Sequence, residues 1–293
     1  MNVQTSGIAD RMRATFPTVI KAPLHGPDGL TTDWHGLWRM DNHQAVGPGS
    51  VSARYAPHTS EDVIALVEAA EHTFGEVGDV EMGFNHGHFI SVAPKLSKEK
   101  RLELYENDIV FPRLMINAPY GSSFRANVGL FRIVCSNLYT MREVSGISVT
   151  FRHTHSLRSK MDELISDFRL LEHGWDRLSE RVTAMTQAKT QVADFLDSIY
   201  GVPADEASER SVTMHKNRTR AIITRMAQER IRVHGNAGDL MQATHWEMFN
   251  AIQGFVQHDK SRKGNVSPVD RIILANEDET VRRAEKLLLE LAV

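Results

Sequence analysis

The sequence has only one cysteine, Cys135, among its 293 residues. A single thiol forms no disulfide within the chain, and it cannot supply the several thiolates of a structural zinc site. Such sparse cysteine fits a reducing compartment, in which we expect Cys135 to behave as a small buried apolar residue. Disulfide-stabilised and thiolate-zinc folds are therefore excluded.

Long apolar segments are also missing. No run approaches the roughly 18 residues that a membrane-spanning helix needs. Residues 1–6 lack the charged and apolar regions of a signal peptide. We therefore expect no membrane contact and a location in the cytoplasm, which is the host cytoplasm if a phage encodes the protein.

The sequence has no large excess of charge of one sign. Its 34 Lys and Arg residues and 37 Asp and Glu residues leave a formal net charge of −3. No global electrostatic attraction then draws the chain to DNA, RNA or an anionic membrane. Any binding of nucleic acid must come from a local basic patch.

The common motifs of hydrolases and nucleotidases do not occur. The sequence contains no Gly-x-Ser-x-Gly, no His-Glu-x-x-His and no phosphate-binding Gly-x-x-x-x-Gly-Lys. These motifs carry a nucleophile, a zinc site and a phosphate cradle, respectively. No catalytic residue and no cofactor is therefore predicted.

The first half of the chain alternates strand patterns with helix patterns. Residues 1–33 contain proline and glycine turns and are interpreted as an N-terminal arm. The elements predicted after it are short strands between 36 and 55, a helix from Thr59 to about Gly75, a β-hairpin over 80–93, a strand over 109–118, a helix over 122–137 and a strand over 147–152. The predicted fold class is α+β, with a small antiparallel sheet packed with helices over residues 34–155.

The second half, residues 156–293, has mainly helical patterns. Apolar residues alternate by four and three positions from Leu157 to Met185, and the stripe resumes at Val192. This spacing is typical of a coiled-coil seam and predicts one long helix over 156–200.

The seam has two candidate irregularities, Lys189 at a seam position and Gly174, which is the expected interruption. Packing of the helix within the chain is favoured over a seam between subunits, because intrachain helical hairpins are common. Three further helices are predicted after the long one. The first of them is a basic stretch from Lys216 to Arg232.

Cations and aromatic residues interleave along the first half, as a single-strand-binding surface requires. The candidate phosphate contacts are Arg113, Arg125, Arg132, Arg152 and Lys160, and the candidate stacking rings are Phe84, Phe89 and Tyr120. Arg125 and Arg132 are seven residues apart and would share one face of the helix predicted over 122–137. The basic stretch after Lys216 is a second candidate patch.

Four histidines form two His-x-His pairs, His86 with His88 and His153 with His155. Four imidazoles that converged could bind a transition metal. Exposed or hydrogen-bonded histidines are the simpler interpretation, because no Asp or Glu lies at ligand spacing in either pair.

Four segments carry a resemblance to a known family. They are Leu37 to Asn42 with Ala45-Val46-Gly47 and Val51 to Tyr55, Phe131 to Leu138, Val149 to Thr154, and Thr244 to Asp259. Together they resemble the phage/plasmid-like family of unknown function that is number nine-three-two in the domain-of-unknown-function series, with Leu138 where the family usually has threonine. The resemblance implies replication or recombination of mobile DNA as the setting. The order of elements is also similar to the β-β-β-α core of single-strand annealing proteins, which is an analogy at the level of fold.

These features lead to one hypothesis and two alternatives. The leading hypothesis is a non-catalytic, homo-oligomeric protein of phage or plasmid type that binds or anneals single-stranded DNA. The first alternative is a metal-dependent hydrolase of nucleic acid or nucleotides that uses the four histidines. The second is a structural or host-interaction protein that acts through the heptad helix.

Overall fold

The fold divides into two compact units. In the computed structural model, the described residues are 3–74, 77–84, 87–94, 101–132, 137–139, 148–151, 174–261 and 268–291. Unit 1 comprises Met1–Glu99, Pro112–Val128 and Gly146–His173, and unit 2 comprises Lys100–Phe111, Gly129–Ser145 and Gly174–Val293. The units therefore differ from the predicted division at residues 33 and 155, because segments of the middle of the chain enter both. No described helix has the length and apolarity that crossing a membrane requires.

The N-terminal residues of unit 1 form regular elements. These are helix α1 (Val3–Thr15), strand β1 (Val19–His25), a 3-10 turn (Pro27–Gly29), strand β2 (Thr31–Arg39) and strand β3 (Val51–Ser52). The three strands form a sheet in the order β1-β2-β3. The interpretation of residues 1–33 as an arm is therefore wrong. Ile8, Met12 and Phe16 recur every four residues and are all buried, so α1 has a helical apolar face.

Helix α2 (Ser60–Phe74) begins at the predicted capping box. The backbone N–H of Thr59 donates to the Asp62 carboxylate (2.7 Å), and the backbone N–H of Asp62 donates to the Thr59 hydroxyl (3.2 Å). These two bonds satisfy donors that the first helical turn leaves free. The prediction of this helix start is confirmed.

A second sheet contains seven strands. They are β4 (Val77–Phe84), β5 (Gly87–Pro94), β6 (Leu102–Tyr105), β7 (Asp108–Pro119), β8 (Phe124–Arg132), β9 (Asn137–Tyr139) and β10 (Ser148–Phe151). Their order is β10-β8-β7-β5-β4, with β6 paired to β7 and β9 paired to β8. The predicted hairpin over 80–93 and the predicted strands over 109–118 and 147–152 are confirmed. Strands β7 and β8 contribute residues to both units.

Within the helix predicted over 122–137, residues Phe124–Arg132 form a strand, β8. Phe124 and Ala126 are both fully buried, and Arg125 between them is half-buried. This alternation has the period of two that a strand requires. Residues an odd number of positions apart lie on opposite faces of a regular strand, so Arg125 and Arg132 do not share a face.

Unit 2 is mainly helical. Its described elements from residue 174 onward are helix α3 (174–187), strand β11 (Lys189–Gln191), helix α4 (Val192–Tyr200), helix α5 (Glu209–His234), strand β12 (Gln242–Thr244), helix α6 (His245–Gly254) with a π-helical turn (Phe255–Asp259), helix α7 (Pro268–Glu277) and helix α8 (Glu279–Leu291). Four helices follow α4, where three were predicted. With the three antiparallel sheets of the described residues, this architecture confirms the α+β class.

The predicted long helix over 156–200 is interrupted. Residues Lys189–Gln191 leave the helix and pair with Gln242–Thr244 in a two-stranded sheet. The break comes at the seam position of Lys189, which is exposed, whereas Gly174 is helical. The seam positions from 157 to 171 lie outside the described residues.

The described seam residues pack within one chain. Trp175, Leu178, Val182 and Met185 on α3 are buried, as are Val192, Leu196 and Ile199 on α4. A seam that is already covered inside the chain leaves no apolar stripe on these two helices for another subunit.

Candidate nucleic-acid interface

Helix α5 carries an unusually one-sided charge. Residues 210–228 include five cations, Arg210, Lys216, Arg218, Arg220 and Arg225, and contain no Asp or Glu. Ser208 caps the helix by accepting the backbone N–H of Ser211 (3.2 Å). Ile222, Met226, Glu229 and Val233 are buried and form the inward face of the helix, whereas Lys216 and Arg220 are exposed.

Arg225 is neutralised by an ion pair, whereas Lys216, Arg218 and Arg220 have no carboxylate partner among the described residues. Arg225 donates to both carboxylate oxygens of Asp259, at 2.7 and 2.9 Å. By contrast, no carboxylate within the described ranges lies at ion-pair distance from Lys216, Arg218 or Arg220. Lys216 and Arg220 are exposed and one turn apart. The surface of α5 is therefore locally positive in a chain with an acidic balance.

A cleft adjoins this surface within unit 2. Its volume is about 450 Å³, which lies within the range of ligand-binding sites. Its walls come from α4, α5, the π-helical turn and its exit, and α8. The lining residues are Tyr200, Met214, Asn217, Arg218, Phe255, Val256, Lys260, Ser261 and Thr280.

The guanidinium of Arg218 lies over the ring of Tyr200 in the wall of the cleft. The guanidinium carbon of Arg218 lies 4.7 Å from the centre of the Tyr200 ring. Burial raises the pKa of Tyr200 well above its ordinary value, so the phenol stays protonated and the ring neutral. Its hydroxyl is buried, and no hydrogen-bond partner for it exists among the residues described.

The second cation of the cleft, Lys260, is already paired. Its ammonium donates to Asp278 (2.5 Å), and the same carboxylate accepts the backbone N–H of Thr280 (3.0 Å) at the start of α8. Burial raises the pKa of Asp278, but the hydrogen bond and charge of Lys260 outweigh it and lower the pKa overall. The net positive charge of the cleft therefore comes from Arg218.

Three of the predicted DNA contacts are buried, which corrects their assignment. Arg113 is 1% exposed, Arg132 is 3% exposed and Tyr120 is 3% exposed. Tyr120 lies in the core of unit 1 with Leu37, and its ring stacks on His58 at 4.4 Å. Side chains with so little accessible surface do not reach a phosphate or a base in this conformation.

Two other predicted contacts are half-buried. Phe84 packs against the core of unit 1, with the Arg39 guanidinium 5.4 Å from its ring centre. Arg125 lies on β8, opposite Thr150 of β10. Both remain candidate contacts with part of their surface accessible.

The remaining predicted residues fall partly outside the described residues. Phe89 and His88 lie on β5, where the structure describes the backbone pairing alone. Residues outside the described ranges are His86, Arg152, His153, His155 and Lys160. Within the described part of the chain, no group of three or more His, Cys, Asp or Glu side chains could hold a metal ion.

Arg132 belongs to a buried ion cluster in unit 2. Its guanidinium donates to both oxygens of Asp108, at 2.7 and 2.8 Å, and also to Glu229 of α5. The indole N–H of Trp246 donates to the same Asp108 carboxylate at 3.0 Å. The cluster links β7 and β8 to α5 and α6. The positive charge of Arg132 is thus neutralised inside the fold, which explains why Arg132 is not a surface cation.

A second ion pair, between Arg230 and Glu247, lies at the start of α6. Two guanidinium nitrogens of Arg230 donate to the Glu247 carboxylate, both at 2.8 Å, and Glu247 forms a capping box with Thr244. Beside it is a small cavity lined also by Tyr105, His234 and Glu229. The accessible space of about 10 Å³ has room for about one water molecule.

The carboxylates of Glu229 and Glu247 are expected to change the free energy of unfolding with pH in opposite directions. Burial raises the pKa of Glu229 above its ordinary value of 4.5. The favourable contribution of Glu229 to folding stability is present below its ordinary pKa and is lost as the pH rises through its pKa in the folded state. Burial also raises the pKa of Glu247, but the bonds from Arg230 and the Thr244 backbone lower it overall. The contribution of Glu247 is therefore present above its ordinary pKa and is lost as the pH falls.

Urea unfolding of the wild type, Glu229→Gln and Glu247→Gln at about pH 4 and about pH 7 measures this difference. Relative to the wild type, Glu229→Gln should lose less unfolding free energy at the higher pH than at the lower pH. Glu247→Gln should lose less at the lower pH. The same change in unfolding free energy between the two pH values in all three proteins would contradict the expectation.

The sequence pointed to the cations of α5 but not to the cleft. The absence of acidic residues between Glu209 and Glu229 is visible in the sequence. Tyr200, Arg218 and Phe255 are far apart along the chain, and nothing in their spacing brings them together. Only the packing of four elements does so.

A comparison with family models finds one match. Residues 48–288 match the model described as Domain of unknown function (DUF932). No curated protein and no solved structure matches the chain.

Proposed function

Because the chain belongs to the DUF932 family, whose description specifies no activity, we propose its function from the geometry of unit 2: the protein binds single-stranded DNA and is not a catalyst. The observation that carries the proposal is a set of three cations, Lys216, Arg218 and Arg220, beside a cleft that contains aromatic rings. None of the three has a carboxylate partner among the described residues. Phosphate groups supply the negative charge that such a surface attracts.

The cleft favours a single strand over a duplex. Bases of a single strand can leave their stack and pack against aromatic rings or guanidinium planes, whereas bases of a duplex stay stacked inside it. Tyr200, Phe255 and Arg218 offer such surfaces in a cleft of suitable volume. The cations of α5 then track the backbone on either side of a base in the cleft.

The setting is also part of the proposal. The resemblance to phage and plasmid proteins supports a role in replication or recombination of mobile DNA in the cytoplasm, where a homo-oligomer would hold or anneal strands. Among the contacts predicted from the first half of the chain, Arg125 is the described cation that is not buried, and it remains a secondary candidate. The principal contacts are those of α5.

The first experiment measures binding of labelled single-stranded and duplex DNA by fluorescence anisotropy across a salt series. The Lys216→Ala/Arg220→Ala variant should bind the single strand more weakly. The slope of log affinity against log salt is negative, and each lost phosphate contact reduces its magnitude by about 0.7. The double variant should therefore reduce the magnitude by about 1.4.

The matched control is Arg181→Ala/Lys286→Ala. Both side chains are exposed, Arg181 on α3 and Lys286 on α8, and this variant removes the same charge as the α5 variant. Its affinity and slope should stay close to those of the wild type. Equal losses in the two variants would mean that net charge alone controls binding, and the proposal for α5 would be withdrawn.

A further inference from the structure

We infer that the cleft of unit 2 holds one nucleotide, with its base stacked on the guanidinium of Arg218 and its phosphate near the cations of α5. This inference rests on the proposed function, because the nucleotide would belong to the bound strand. It goes further by assigning one residue to the base and by giving Tyr200 a positioning role.

Tyr200 positions the guanidinium of Arg218 in this inference. The guanidinium carbon lies over the Tyr200 ring, 4.7 Å from its centre, and both residues line the cleft. The guanidinium surface that the ring does not cover is the one assigned to a ligand. A guanidinium plane is a good stacking surface for a base, since it is flat, cationic and weakly hydrated.

The N–H groups of Arg218 make no ion pair or hydrogen bond with another described side chain. Its guanidinium carbon lies over the Tyr200 ring. Holding a long cationic side chain in one place without a carboxylate leaves its N–H donors free for an anionic ligand. This sets Arg218 apart from Arg225 and Arg230, whose donors are used by carboxylates.

The remaining walls fit a nucleobase. Met214, Phe255 and Val256 supply apolar surface, and the side chains of Asn217 and Ser261 add hydrogen-bonding groups at the cleft. A flat ligand with polar edges and a negative group therefore matches the cleft better than a purely apolar or purely ionic one. These features define a nucleotide.

The test compares two strands that differ in their bases alone. One is a labelled oligothymidylate, and the other is the same sugar-phosphate strand with abasic sites. Arg218→Lys keeps the charge but loses the plane, so its affinity for the oligothymidylate should fall about tenfold. Its affinity for the abasic strand should stay within about twofold, because the phosphate contacts remain.

A pair of variants tests the positioning role of Tyr200. Tyr200→Phe keeps the ring and removes the buried hydroxyl, which has no hydrogen-bond partner among the described residues, so it should bind both strands as the wild type does. Tyr200→Leu removes the ring and should lose the preference for the oligothymidylate while still binding the abasic strand. Circular dichroism melts check that each variant is folded.

Two outcomes separate this inference from the proposed function. Equal affinity of the wild type for the two strands, with binding still lost in Lys216→Ala/Arg220→Ala, would overturn the nucleotide site and support strand binding. No binding of either strand would overturn the proposed function. A titration with thymidine monophosphate, monitored by the NMR chemical shifts of cleft amides, then tests the nucleotide site independently of strand binding. Shift changes that Arg218→Lys abolishes would support the site. Absence of shift changes in the wild type would overturn it.

Discussion

Replacing Arg132 with methionine is expected to lower the free energy of unfolding by about 3–5 kcal/mol. Methionine keeps much of the apolar stem but leaves two carboxylates, Asp108 and Glu229, without the guanidinium that neutralises them. Asp108 is fully buried and Glu229 is 6% exposed, so water does not replace the lost partner. Urea denaturation followed by circular dichroism measures the change as a shift of the midpoint.

Two variants accompany this measurement. Arg181→Met removes an exposed arginine from α3 and should change stability by less than about 0.5 kcal/mol. Adding Asp108→Asn and Glu229→Gln to Arg132→Met should recover part of the loss, because neutral amides are cheaper to bury than charges. A loss below about 1 kcal/mol in Arg132→Met would contradict the buried ion cluster.

The Arg132 result bears directly on DNA binding. A variant that unfolds also stops binding, so lost affinity in Arg132→Ala would not identify a phosphate contact. Lys216 and Arg220 are better sites for that test, because both are exposed and neither makes an ion pair with a described carboxylate. Their removal should leave the melting temperature close to that of the wild type.

Replacing Trp246 with alanine is expected to cost about 3–5 kcal/mol of unfolding free energy. The side chain is 1% exposed, its indole N–H donates to Asp108 at 3.0 Å, and its ring lies 6.3 Å from that of Phe249. The guanidinium of Arg132 lies 5.8 Å from the same indole ring. Alanine would thus leave a large cavity and remove one donor from a buried carboxylate.

The variant Trp246→Phe separates packing from hydrogen bonding. It keeps an aromatic ring but loses the N–H donor, and the expected cost is about 1.5–3 kcal/mol for a bond to a charged group. The same urea titration measures both variants. If Trp246→Phe were as harmful as Trp246→Ala, packing of the ring would contribute little and the bond to Asp108 would dominate.

The buried cluster also has a consequence for the surface. Glu229 is anchored by Arg132 on the buried side of α5, and Arg225, one turn earlier, is fixed by Asp259. These contacts set the rotation of the helix about its axis. The rotation in turn decides which cations reach solvent and which side chains line the cleft.

Some local elements could be predicted from neighbouring residues alone. The capping box of Thr59 and Asp62 marks the start of α2, and the hairpin of β4 and β5 follows from two β-rich runs around a turn. Gly235, with a positive φ of 76°, ends α5 where the helical pattern stops. Propensity, capping and apolar period are properties of neighbouring residues, so these features can be read without the fold.

Tertiary structure decided where the heptad helix ends. The apolar stripe continues past Lys189, but residues 189–191 pair with residues 242–244. The pattern predicts a helix there because it contains no information about a strand that lies more than fifty positions away. Pairing with that strand replaces the helical hydrogen bonds of the three residues, and exposed Lys189 loses no apolar burial.

Tertiary structure also decided the role of each arginine. Neither Arg132 nor Arg218 has an Asp or Glu within five positions in the sequence. Arg132 is nevertheless buried between Asp108 and Glu229, whereas Arg218 lies over the Tyr200 ring and lines a cleft. Whether a cation is neutralised depends on carboxylates that the fold brings to it from distant positions, because charge pairing acts through space and not along the chain. The sequence therefore identified the cations, and the fold determined which of them are available to a ligand.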